Sequence, residues 1–159
     1  MLSSLVRYLH DSYVPFRIVS ASSPEHLPKV AIPTMNKPVQ TKVMLIDGRP
    51  ALVCYGAEEQ LDSPALIAEL GTTLVVAGGV ADLREEHRRA SSPLPPFGGL
   101  FGIPVIVDEG VTRCALLCFH AFDDATFGEV PYDDFARLEQ PRIAKFAYRG
   151  ELEQHTSPP

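Results

Sequence analysis

The stretch KVMLIDGRPALVCYG, residues 42–56, constrains the fold more than any other part of the chain. Two apolar runs flank Asp47-Gly48, and glycine accepts the positive φ that a tight turn demands, so the segment reads as an antiparallel hairpin. LDSPALIAELG follows as a helix, with Ser63 as N-cap, Pro64 at the first helical position, Leu66, Ile67 and Leu70 on one face, and Gly71 as the stop. TTLVVAG reads as a strand and VADLREEHRRA as a second short helix, with Val80 and Leu83 inward and the charges in solvent.

Upstream, Leu2, Leu5, Val6 and Leu9 recur at helical spacing behind Ser3 or Ser4 as a cap, and PFRIVSA reads as a strand. Between residues 22 and 41, Pro24, Pro28, Pro33 and Pro38 remove amide donors and break helices, which predicts a wandering surface segment whose loops can line a pocket. Downstream, IPVIVDE and CALLCFHAF read as buried strands, TFGEV as a shorter one, and YDDFARLEQ as a helix beginning after Pro131. PRIAKFAY either closes the sheet or docks as an extended arm, and GELEQHTSPP lacks apolar anchors. Helices and hairpins without strict βαβ alternation predict an α+β single domain, a mixed and mostly antiparallel sheet flanked by helices, over residues 1–148 with a flexible tail at 149–159.

A chain of 159 residues, 45% hydrophobic and 21% charged, matches one globular domain with a real core. Its apolar runs fall short of the roughly twenty residues a membrane helix needs, and MLSSLVRYLHDSY lacks a signal-peptide pattern, so a cytoplasmic location without membrane contact is expected. Cys54, Cys114 and Cys118 form no CxxC pair and are odd in number, which argues for reduced core thiols over disulfides or zinc. The net charge of −6 opposes broad binding to a polyanion, though it permits contact with a short terminus.

The sequence holds no GxSxG, HExxH, P-loop or GxGxxG motif, and its histidines, His10, His26, His87, His120 and His155, show no metal-ligand spacing. No cofactor is expected. Lys42 opens an apolar strand just after the proline-rich segment, where its ammonium either snorkels to water or points into a cleft. Asp133 and Asp134 follow Pro131 at a helix start, where acids favour the N-terminus. Asp108 either orients the neighbouring loop or starts the next turn. PLPPFGGLFGIPVIVDE, residues 93–109, sets stiff prolines beside loose glycines, as a shaped loop presenting backbone to a ligand would, or an ordinary turn.

The order of TKVMLIDG, LDSPALIAELG, PPFGGLFGIPVIVDE and YDDFARLEQPRIAKFA resembles the YbaK/prolyl-tRNA synthetase-associated domain family over roughly residues 3–147. The resemblance implies a mixed sheet flanked by helices, with a pocket between the sheet and the glycine/proline loop. It also implies a freestanding editing deacylase that hydrolyses, in trans, the ester joining a wrongly attached amino acid to the acceptor end of a tRNA. By position Lys42 matches the family's essential lysine and Pro96 the proline ending its GxxxP loop. Lys42 is thus the expected catalytic residue, and Ser92, Pro95, Pro96, Phe97, Gly98, Gly99 and His120 are the expected substrate-binding set. An aminoacyl ester is already activated, so such a site mainly positions a water and stabilises an oxyanion.

The chain departs from the family where Ser92 replaces the glycine opening the GxxxP loop, Phe122 stands at a late-strand glycine, and Glu58 and Glu59 replace basic residues. These departures favour the alternative, a catalytically degenerate relative binding a small amino-acid-like ligand or a protein partner. Arg84, Arg88 and Arg89 are the best basic cluster, either an acceptor-stem contact or a solvated helix face. Amino acid, tRNA identity and oligomeric state stay open.

Overall fold

In the computed structural model, which describes residues 1–20 and 38–150, the hairpin forms as its turn chemistry dictates. Strands β2 (Val39–Ile46) and β3 (Arg49–Gly56) pair antiparallel along their whole length, from Val39 opposite Gly56 to Ile46 opposite Arg49. Asp47 (φ 49°) and Gly48 (φ 85°) both lie in the left-handed region that a two-residue turn requires. The Asp47 carboxylate also accepts the N–H groups of Thr73 (3.0 Å) and Leu74 (2.8 Å). The hairpin tip thereby sets β5 (Val75–Ala77) against the outer edge of β2.

On the other side, β6 (Val105–Asp108) joins β3 in parallel, and β9 (Arg142–Ala144) joins β6 in parallel. The result is a five-stranded mixed sheet of order β5-β2-β3-β6-β9. A second, antiparallel sheet of order β1-β8-β7 is built from β1 (Arg17–Ser20), β7 (Leu116–His120) and β8 (Thr126–Pro131). Short β4 (Gln60–Leu61) pairs with β10 (Ala147–Tyr148). The expected α+β architecture is therefore present, and PRIAKFAY takes both of its expected roles: β9 closes the large sheet while β10 docks beside β4.

Strand alternation divides the core in two. Val39, Val43, Leu52, Cys54, Val105 and Val107 face a large cluster shared with helix α1 (Leu2–Asp11), the second sheet, and helix α4 (Tyr132–Glu139). Met44, Ala51, Val53, Tyr55 and Ile106 face a smaller cluster under Leu66 of helix α2 (Ser63–Leu70) and Phe146. Cys54 and Cys118 are buried and Cys114 is half-buried, all as free thiols. Burial pushes the Cys118 thiol up to about 12 and raises that of Cys54 as well.

Three local expectations need correction. Asp62, not Ser63, caps α2, its Oδ1 accepting the Ala65 N–H at 3.1 Å, which moves Pro64 to the second helical position. Helix α1 begins at Leu2 after Met1 with no side-chain cap, so Ser3 and Ser4 lie inside its first turn. VADLREEHRRA is no α-helix: 3₁₀ turns at Val80–Asp82 and Glu85–His87 are separated by extended backbone at Leu83 (φ −82°, ψ 170°), which drives the Leu83 side chain into the core. With so few apolar residues there, one deep anchor outweighs a continuous helical face. The proline-rich segment expected over 22–41 lies outside the described residues as far as position 37, as does the tail from 151.

Asp108 resolves in favour of orientation. Its carboxylate, 4% exposed, accepts the N–H groups of Phe146 (2.9 Å) and Ala147 (3.0 Å) through Oδ1 and of Gly110 (3.0 Å) through Oδ2. It fixes the closing segment to the end of β6. Asp108→Ala strands those amides with no acceptor and is expected to destabilise the fold by about 3 kcal/mol or more, since each hydrogen bond to a charged group contributes roughly 1.5–3 kcal/mol. Urea denaturation measures this; a loss below about 1 kcal/mol would contradict the assignment.

Candidate functional site

A cleft of about 370 Å³ opens between the start of β2 and the loop that follows the arginine-rich turn. It is bordered by Val39, Gln40, Thr41, Lys42 and Ala57 on one side and by Ser92, Pro93, Leu94, His120 and Asp124 on the other. Four consecutive β2 residues cannot all point one way, so the cleft meets this strand along its edge. Among the described residues that edge of β2 has no strand partner before Met44, since β5 pairs with Met44–Ile46.

The loop wall is held from within. Phe97, fully buried, packs edge-on against Tyr8 (6.3 Å between ring centroids), Phe119 (5.3 Å) and Phe135 (5.6 Å). Upstream, the Pro93 carbonyl accepts the Phe122 N–H at 2.7 Å, tying the loop to the turn between β7 and β8. That turn is closed by Ala121 N–H to the Thr126 carbonyl (3.0 Å) and by Ala125 N–H to Asp123 (2.9 Å). Hydrogen bonds, foremost from the Thr126 side chain, hold the Asp123 carboxyl below its ordinary range.

Of the expected site residues, Lys42, Ser92 and His120 border the cleft. Pro95, Pro96, Phe97, Gly98 and Gly99 do not. Pro95 and Pro96 are buried, and Phe97–Gly99 turn away into helix α3 (Gly98–Phe101). The glycines serve the chain's own packing: a Cβ on Gly98 would collide with the Ile103 carbonyl, and one on Gly99 with the Tyr8 hydroxyl. Gly99 N–H donates to Glu139 Oε1 (2.9 Å), while the Tyr8 hydroxyl donates to Glu139 Oε2 (2.7 Å). Burial raises the Glu139 carboxyl above its usual range, although both bonds work against the rise. Of this loop, Ser92–Leu94 border the cleft and the PFGG stretch does not.

Lys42 is exposed, and its Nζ lies 5.9 Å from the centroid of the Tyr55 ring. Pairing of Lys42 with Val53 puts its side chain on the face of the smaller core. It has no ion pair among the described residues. His120 stands edge-on to Phe127 at 5.4 Å, and its buried Nδ1 has no hydrogen-bond partner there. Ser92, His120 and Asp124 share the cleft without hydrogen bonds to one another, so no nucleophile–base relay is assembled. Chemically, the residues bordering the cleft comprise a cation (Lys42), two hydroxyl side chains (Thr41 and Ser92), an imidazole (His120) and a carboxylate (Asp124). Thr41 and Asp124 were not among the expected site residues. The acids of HAFDD were the only hint of Asp124, and the acids nearby in the first turn of α4, such as Asp134 bonded to Arg137 at 3.1 Å, masked it.

The family departures are accommodated unevenly. Phe122 keeps a glycine-like φ of 71°, but its ring is buried in the large core and does not border the cleft. Glu58 and Glu59 line a neighbouring cavity of about 240 Å³ with Val111, Cys114 and Arg149. Glu59 is engaged there, its Oε1 accepting the Gly56 N–H at 3.2 Å. Among the described residues no group of three or more His, Cys, Asp or Glu side chains could hold a metal, and no helix is long and apolar enough to cross a membrane.

No family model and no curated protein matches the chain. Solved structures do. A candidate trans-editing enzyme for prolyl tRNA synthetase is similar with a TM-score of 0.71 at 13% identity, over 92% of this chain and 96% of that one. A hypothetical protein is similar with a TM-score of 0.72 at 11% identity, over 91% and 99%. A candidate signal transduction protein from Marinobacter aquaeolei VT8 gives a TM-score of 0.71 at 18% identity; the match covers 91% of this chain but 30% of that longer one. At these identities the likeness establishes the fold alone.

The left-handed backbone at Phe122 separates two costs. Phe122→Ala and Phe122→Gly both lose the buried ring, but only alanine keeps a side chain in that conformation, which costs about 1 kcal/mol. The glycine variant is expected to be the more stable by about that amount in urea denaturation. Equal stabilities would contradict the assigned backbone geometry.

Proposed function

We propose that the chain is an aminoacyl-tRNA deacylase acting in trans at the cleft between the start of β2 and residues 92–94. One observation carries the reading: Lys42, Ser92 and His120, far apart in sequence, border one cleft in a fold similar to that of a candidate trans-editing enzyme. At about 370 Å³ the cleft lies near the lower end of the roughly 300–1,000 Å³ of small-molecule sites, enough for an acylated ribose.

The chemistry asks little of the protein. A water adds to the ester carbonyl, a tetrahedral oxyanion forms, and its collapse breaks the ester bond to release the amino acid carboxylate and the ribose hydroxyl, one of the water's protons going to the ribose oxygen and the other to solvent. The Lys42 ammonium offsets the developing negative charge, and Ser92 and the adjoining backbone hold the acyl group, with the His120 imidazole beside them. Lys42 must leave the Tyr55 ring to do so. An exposed cation–π contact contributes only about 0.5–1 kcal/mol, so the move costs little against the attraction of an anionic substrate.

That resting position is also what favours the second reading, a binding module for an amino-acid-like ligand in which Lys42 never engages the acyl group. The two separate on a panel of mischarged tRNAs. The native protein is expected to hydrolyse at least one, and Lys42→Ala to lower kcat by about 10²–10³-fold, the usual loss for one oxyanion-stabilising group. Hydrolysis of none, together with thermal stabilisation by a non-hydrolysable aminoacyl-adenosine, would favour the binding module.

A further inference from the structure

The segment between Leu83 and Ala90 carries Arg84, Arg88 and Arg89, and none of the three forms an ion pair among the described residues. The turn is not a loose solvated helix face. Leu83 and Ala90 are buried at its two ends, and the His87 ring stands edge-on to Phe101 of α3 at 5.5 Å. The Arg84 guanidinium lies against Gly102, its central carbon 3.3 Å from where a Cβ on that residue would sit, and Gly102 itself has a φ of 71°. Arg88 Nε donates to the Leu83 carbonyl at 2.9 Å. Two of the three guanidinium groups are therefore held by their own chain on residues that remain exposed.

The segment's acids Asp82, Glu85 and Glu86 match its three arginines in number, but two of them are held locally. Asp82 Oδ2 accepts the Gly79 N–H at 2.9 Å, and Glu86 lies 3.6 Å from His87. Glu85 alone is unengaged among the described residues. Held guanidinium forks suit phosphate oxygens, and arginine keeps its charge at any physiological pH. The turn also lies close to the cleft: Arg89 and Ser92 are three residues apart, so their Cα atoms are separated by at most about 11 Å. Successive phosphates of a nucleic acid strand lie well within that reach.

We infer that the 84–89 turn is an RNA-docking surface, which grips the sugar-phosphate backbone of a tRNA acceptor stem whose 3′ end occupies the cleft. The inference rests on the deacylase reading for the occupant of the cleft but concerns a different surface, one whose contacts carry no base specificity. A chain of net charge −6 repels polyanions at long range, so a small local arginine cluster beside the cleft gives it a defined landing point.

Two variants test it, Arg89→Glu, which alters an exposed side chain, and Arg84→Gln, which loosens the contact with Gly102. The native protein and each variant are compared on a whole mischarged tRNA and on a short aminoacyl-adenosine ester. Each variant is expected to lose about tenfold in kcat/KM on the tRNA and under twofold on the short ester, with a shallower salt dependence, by about one in the log–log slope. Equal losses on both substrates, or none on the tRNA, would overturn the inference while leaving the deacylase reading intact. If the native protein hydrolyses neither substrate, the deacylase reading fails, and fluorescence anisotropy with an uncharged acceptor-stem RNA hairpin tests the surface alone. Binding weakened by Arg89→Glu supports it; no binding by the native protein, or equal binding to polyglutamate, overturns it. Should Arg84→Gln fail to fold, Arg89→Glu suffices.

Discussion

Phe97 ties the molecule together. Its ring meets Tyr8 from α1, Phe119 from β7 and Phe135 from α4, so one buried side chain joins the N-terminal helix, the second sheet and the C-terminal helix. Loss of such a ring typically costs about 3–5 kcal/mol, a large share of a domain's stability. The stretch before it, Ser92–Pro96, thereby has a fixed end, and the Pro93 carbonyl bonded to Phe122 N–H fixes the other. A loop held at two points can offer a constant wall to the edge of β2, and the cleft exists because of that.

Much of this was legible in local chemistry. Asp47-Gly48 could hardly do anything but turn a hairpin, and the alternating residues around it chose their faces as strand periodicity requires. Less legible was which side of a glycine-rich loop would face outward. Gly98 and Gly99 look like residues that let a ligand approach, yet it is Ile103 and Tyr8 that come close. A single sequence cannot distinguish a glycine that admits a substrate from one that admits its own chain, because both require only the absence of a Cβ. The helix expected across 80–90 failed for a similar reason: the pull of Leu83 into the core is a tertiary effect that outweighs local propensity.

The site shows the same division. Lys42, Ser92 and His120 were picked out by position and meet at one cleft, whereas Thr41 and Asp124 join them only through the fold. Phe122, which stands where the resembled family has a glycine, is part of the core, and its backbone adopts the conformation a glycine would have taken. The acidic pair at 58 and 59 lines a neighbouring cavity rather than the cleft itself. Of the departures from the resembled family, Phe122, Glu58 and Glu59 lie outside the cleft and Ser92 borders it. Lys42, which matches the family's lysine, rests its ammonium over Tyr55.

The central claim is that the cleft beside residues 92–94 receives the acylated end of a nucleic acid. The most direct measurement is an amide ¹H–¹⁵N titration with an adenosine carrying an amide-linked amino acid in place of the ester. The account predicts shifts concentrated at Gln40, Thr41, Lys42, Ser92, Leu94 and His120. Shifts confined to the cavity lined by Glu58, Cys114 and Arg149, or none at any concentration reached, would contradict it.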